Sequence, residues 1–221
     1  FAKIYIRMKL IFILSMYLIP MIGLAQSVWE APNAEDHKVT TSTFIDNKEN
    51  SEAKYLKGAV PEVDGKVEWR LDIDVPKKNA QDIYDIIFDC FTSLTKTENQ
   101  LEGSRISLIN KKDHIVVASM KEWLVFTDKL LSLDRTKFNY TLIAYCKDNH
   151  LTVTMGRILY VYDEERVRGG YVYKAEEWIN DENALNRKQT RLLPGSAKFR
   201  RKTIDRKDYI LQNQATNVSV Y

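Results

Sequence analysis

The sequence predicts an α+β domain in which helices flank an antiparallel meander. Three observations predict it. Val67, Trp69, Leu71, Ile73 and Val75 alternate with Glu68, Arg70, Asp72 and Asp74, the period of a half-buried strand. Ile83, Ile87, Phe91 and Leu94 then recur at helical spacing, flanked by Ile86 and Cys90. Beyond Gly103, strand-like segments follow one another through short turns, which favours neighbouring antiparallel strands over crossovers.

Each element follows from its local chemistry. Pro76 ends the first strand, and Asn79 is placed to cap a helix that starts at Ala80. Ile106 to Ile109 is a short strand, and Asn110-Lys111-Lys112-Asp113 turns the chain into a run from His114 to about Phe126. Leu130 to Arg135 reads as a connection. Phe138, Tyr140, Leu142, Ala144 and Cys146 form the next strand, and Lys147-Asp148-Asn149 makes a tight hairpin into Leu151–Tyr162. A charged turn ending in Gly169-Gly170 would let Tyr171-Val172-Tyr173 pair back on Tyr160-Val161-Tyr162. Glu176 to about Arg191 reads as a helix stopped by Pro194-Gly195, and residues 212–221 read as a frayed tail.

The N-terminal 25 residues contain no acid. Lys3, Arg7 and Lys9 precede an apolar run from Leu10 to Leu24, and Gly23-Leu24-Ala25 offers small residues for cleavage near Ala25. The run is short of the roughly 20 residues of a spanning helix. A cleaved signal peptide over 1–25 is therefore expected, with a periplasmic or secreted product; an uncleaved membrane anchor is the competing expectation. Residues 26–54 are polar and unpatterned, a flexible linker to a domain over 55–211.

The whole chain carries 33 Lys and Arg against 30 Asp and Glu. Lys3, Arg7 and Lys9 account for the entire excess, so the mature domain is formally neutral. That argues against a nucleic-acid partner, which demands cations to neutralise phosphates. Only two cysteines are present, too few for a disulfide scaffold, so an ordinary apolar core must hold the domain. Cys90 and Cys146 stand either as one disulfide or as two free thiols.

Three segments carry a family resemblance. They are Tyr55-Leu56-Lys57-Gly58-Ala59-Val60-Pro61-Glu62-Val63-Asp64-Gly65-Lys66-Val67, Ala175-Glu176-Glu177-Trp178-Ile179, and the run from Gly195 to Asp205. Together they resemble the exported Bacteroides-type domains of unknown function numbered 4468, whose fold is like that of the TATA-box-binding protein (TBP-like). The resemblance implies a curved antiparallel sheet with helices packed on one face. It implies no catalytic residue, cofactor or ligand.

Two surface features are candidate sites. Tyr160, Tyr162, Tyr171, Tyr173 and Trp178 would gather on one sheet face, where amphipathic rings suit protein or glycan contacts, although cross-strand stabilisation explains the same pattern. Lys198, Arg200, Arg201, Lys202 and Arg206 form a basic stretch that could hold an acidic partner, or could pair with the acidic runs Asp82–Asp89 and Asp163-Glu164-Glu165. Enzyme signatures fail: no nucleophile elbow, zinc-binding His-Glu-x-x-His, phosphate loop or zinc-spaced Cys pair occurs. The expected function is an exported, non-enzymatic binding or envelope-accessory module without cofactor or metal. The rival readings are a small hydrolase or metal enzyme using His114 or His150, and a membrane-anchored structural component.

Overall fold

The structure is a computed structural model that describes residues 52–130, 132–164 and 166–220. The expected signal peptide and nearly all of the linker lie outside the described residues. The linker's last residues belong to the folded unit. Glu52 pairs with Arg201 at 2.6 Å and Lys54 with Asp205 at 2.6 Å, so the fold begins before Tyr55.

The strands are β1 (Glu62–Val63), β2 (Lys66–Asp74), β3 (Arg105–Asn110), β4 (Ile115–Lys129), β5 (Ser132–Lys147), β6 (His150–Tyr162) and β7 (Tyr171–Lys174). The helices are α1 (Ala80–Leu94), the single turns α2 (Ala175–Trp178) and α3 (Asp181–Ala184), and the long α4 (Pro194–Val220). Among the described residues one open, curved sheet runs β1-β2-β6-β5-β4-β3, and every pairing is antiparallel. β7 pairs with β6 beyond the stretch that β2 covers, at Tyr160↔Tyr173 and Tyr162↔Tyr171. The expected meander, with its return strand, is what forms.

Local chemistry places the first helix as the spacing predicts. The Asn79 side chain accepts from the Asp82 N–H at 2.9 Å. Asp148 in the β5–β6 hairpin accepts from the Ala80 N–H at 2.8 Å, tying the helix start to the sheet end. Ile83, Ile87, Phe91 and Leu94 are buried together with Tyr84, against β3, β4 and β5. α4 lies beside α1 on the same sheet face and reaches β4 and β2.

The last third differs from its sequence reading. No single helix spans 176–191. Asn180 caps the α3 turn through Asn183, and Asn186 Oδ1 accepts from the backbone of Thr190 and Arg191 at 2.9 and 3.1 Å. These side chains offer the backbone an alternative to a continuous helix. Pro194 opens α4 instead of closing a helix, because a first-turn residue needs no N–H donor. The segment read as a frayed tail is the end of α4, with Gln214 and Val218 buried.

Candidate functional site

A bulge decides where the aromatic residues go. Along β6, Leu151, Val153 and Met155 face the core. Arg157 then adopts φ 55°, and the register against β5 slips between Asn139 and Thr141. Beyond it the buried set becomes Ile158 and Tyr160. Tyr160 is therefore enclosed, not displayed, and its phenol lies 2.7 Å from Thr203 Oγ1 of α4. Burial drives that phenol's pKa far above the ordinary tyrosine value.

Phe199 of α4 is the hub that covers the expected binding face. Its ring lies 4.7 Å from Phe126, 5.2 Å from Tyr160, 5.5 Å from Tyr162, 5.8 Å from Tyr173 and 6.0 Å from Trp178. Tyr162 donates to Asp134 at 2.9 Å and accepts from Lys198 Nζ at 2.7 Å. The five aromatic candidates thus separate. Tyr160 and Tyr162 become packing beneath α4, which corrects the expectation of one accessible face. Tyr171, Tyr173 and Trp178 remain together at the margin. Tyr173 stacks on Trp178 at 4.3 Å, and Tyr171 stacks outside it at 6.4 Å with 49% of its surface exposed.

The basic stretch is likewise resolved into pairs. Lys198 bridges to Asp134 at 2.8 Å, Arg201 to Glu52, and Arg206 grips Glu122 through two hydrogen bonds of 2.8 and 2.6 Å. Arg200 is fully buried. It donates to the carbonyls of Tyr55, Leu56 and Ile179 and to Asp181, all at 2.6–2.7 Å. Of the five, Lys202 stays exposed to solvent. These partners are scattered through the sequence and are not the acidic runs expected, so the stretch is a set of struts and not a free cationic patch. Nothing in residue spacing revealed Phe199, Glu122 or Asp134 as their partners.

Cys90 and Cys146 are both free thiols, so the disulfide alternative falls. Cys146 is buried on β5, with its pKa pushed up to about 12 by desolvation. Cys90, on α1, is half-buried and raised by the same cause, while Asn217 Nδ2 donates to its sulfur at 3.2 Å. His150 lies between two carboxylates, Asp74 at 3.0 Å from Nδ1 and Asp72 at 2.5 Å from Nε2, and both raise its pKa. His114 takes φ 50° in the β3–β4 turn, its ring 5.9 Å from that of Tyr84. Among the described residues no three His, Cys, Asp or Glu groups converge on a metal position.

The family model for a domain of unknown function with TBP-like fold (DUF4468) matches residues 69–161, from β2 into β6. A crystal structure of a DUF4468 family protein from Bacteroides ovatus is 37% identical, with a TM-score of 0.70 over 77% of this chain and 96% of that one. The chain belongs to this family. A TBP-like protein from Parabacteroides distasonis, 20% identical, superposes with a TM-score of 0.56 over 73% of this chain and 97% of its own, which supports the fold. No curated protein matches. The family brings a fold and no assigned chemistry, so the reading of function rests on the side chains themselves.

Proposed function

We propose that the protein is an exported, non-enzymatic envelope-accessory module that holds a protein partner at its β7 margin. The observation that carries this is an apolar strand edge left without a partner strand among the described residues. β7 pairs with β6 alone, Val172 is 57% exposed and Tyr171 49%. Behind them, Tyr173 and Trp178 form a rigid stacked platform. A free edge supplies backbone donors and acceptors for an added strand, and tyrosine gives contact area at low entropic cost.

The absence of enzymatic work in this reading rests on the groups that would have to perform it. Burial holds both thiols protonated at neutral pH, and both His150 nitrogens are engaged by carboxylates. A nucleic-acid partner is disfavoured because the cations of α4 are largely spent on internal carboxylates. Export rests on the basic-then-apolar N-terminus, and mass spectrometry of the mature protein tests it, with a chain beginning near Gln26 as the expected result.

The partner is tested by placing a photo-crosslinking amino acid at Tyr171 and, as control, at Lys112 in the distant β3–β4 turn. Light-dependent adducts of one defined protein mass at 171, and none at 112, are expected. Identical adduct patterns at the two sites would defeat the proposal. Glycan binding lost in Tyr171→Ala would replace the protein partner by a sugar.

A further inference from the structure

We propose that a cleft between α1 and α4, remote from β7 in the fold order, binds a small neutral hydroxyl-rich molecule of the mono- or disaccharide class. The cleft has a volume of about 560 Å³, within the range of small-molecule sites. Asp89, Cys90 and Ser93 line it from α1, and Tyr209, Asn213, Gln214 and Asn217 from α4. On α4 these positions repeat at four, five and eight residues, so one helical face carries a tyrosine and three carboxamides.

Gln214 points to a ligand. It lines the cleft, only 3% of its surface is exposed, and its Oε1 has no hydrogen-bond partner. A buried carbonyl without a donor costs free energy that a folded protein ordinarily avoids. That oxygen is closed off from solvent, so a ligand hydroxyl supplies the donor once the Gln214 amide swings toward the cleft. Asn217 spends its Nδ2 on the Cys90 sulfur, a weak acceptor, so a ligand oxygen in the same place would make the better bond.

The lining also sets the class of molecule. Among the described residues Asp89 is the only carboxylate lining the cleft and no Lys or Arg does so, which disfavours an anion. Carboxamides both donate and accept, as alternating sugar hydroxyls require. Tyr209, 54% exposed at the rim, adds an aromatic surface for the apolar face of a sugar ring. Arg206 already lies 5.1 Å from that ring, which holds it in place.

The protein is titrated with glucose, galactose, N-acetylglucosamine and lactose, with glucuronate as the anionic control. The readout is the side-chain amide resonances of Asn213, Gln214 and Asn217. At least one neutral sugar is expected to shift all three and to slow alkylation of Cys90 while Cys146 stays protected. Gln214→Met should weaken that sugar about fivefold, yet raise the melting temperature of the free protein by about 2–4 °C, because it removes an unpaired buried carbonyl. A merely structural Gln214 would lower it. The proposal is overturned if none of these sugars moves the resonances, if glucuronate binds more tightly than glucose, or if Gln214→Met leaves affinity unchanged.

Discussion

The two halves of α4 solve opposite problems with one helix. From Pro194 to Arg206, nearly every long side chain has found a partner: Phe199 closes over the sheet aromatics, and Lys198, Arg200, Arg201 and Arg206 each meet a carboxylate. From Lys207 to Val220 the helix presents carboxamides along a cleft and leaves one of them buried with an unmet acceptor. The first half is fixed by paired cations and Phe199, while the second packs Ile210, Leu211 and Val218 into the core on one face and lines the cleft with another. Substitutions that mix these roles would break the distinction.

The largest effect should fall at Arg200. Its guanidinium joins the segment before β1 through two carbonyls, the α2 turn through Ile179, and α3 through Asp181. Arg200→Ala strands those acceptors in a buried space and opens a cavity, so a loss of about 4–5 kcal/mol is expected in urea unfolding. A loss under 1 kcal/mol would mean that the N-terminal half is not the strut described.

Arg206 comes next. Its partner Glu122 is buried on β4 and also accepts from Gln100 at 2.7 Å. Arg206→Met leaves a buried carboxylate short of its cation, for a cost of about 3 kcal/mol. Adding Glu122→Gln should recover most of it, and a double-mutant cycle reads the coupling. Additive losses would show that the pair does not act as a unit. Tyr160→Phe is milder: it removes one buried hydroxyl contact with Thr203, and about 1 kcal/mol is expected from the same unfolding curves.

These contrasts explain which features could be read from the chain alone. Alternation in β2 and the helical spacing of α1 depend on near neighbours, and both elements formed where their residues implied. The aromatic face depended on parity along β6, and one residue in an unusual backbone conformation, Arg157, reversed it. Periodicity holds no record of such a slip. Pairing of the α4 cations was foreseeable but its partners were not, because Asp134, Asp181, Glu52 and Glu122 are distant in sequence and meet them only through the fold. Pro194 was ambiguous for another reason: the same missing N–H both ends one helix and opens the next. The carboxamide cleft went unseen because Asn213, Gln214 and Asn217 read as the polar fraying of a terminus until α1 gave them a facing wall.

The smallest expected effect is the sharpest test of the division. Tyr209 lies three residues beyond Arg206 on the same helix, yet half of its surface is in solvent and it faces the cleft rim. Tyr209→Ala should change unfolding free energy by less than about 0.5 kcal/mol, as exposed positions generally do. Its thermal melt should overlay the parent curve, while any sugar affinity falls. A Tyr209 loss as large as that of Arg206→Met would erase the boundary between the halves. The cleft-facing side of the C-terminal turns would then be holding the fold as Ile210, Leu211 and Val218 do on the core side, and the open carboxamide at Gln214 would be a cost without a ligand to justify it.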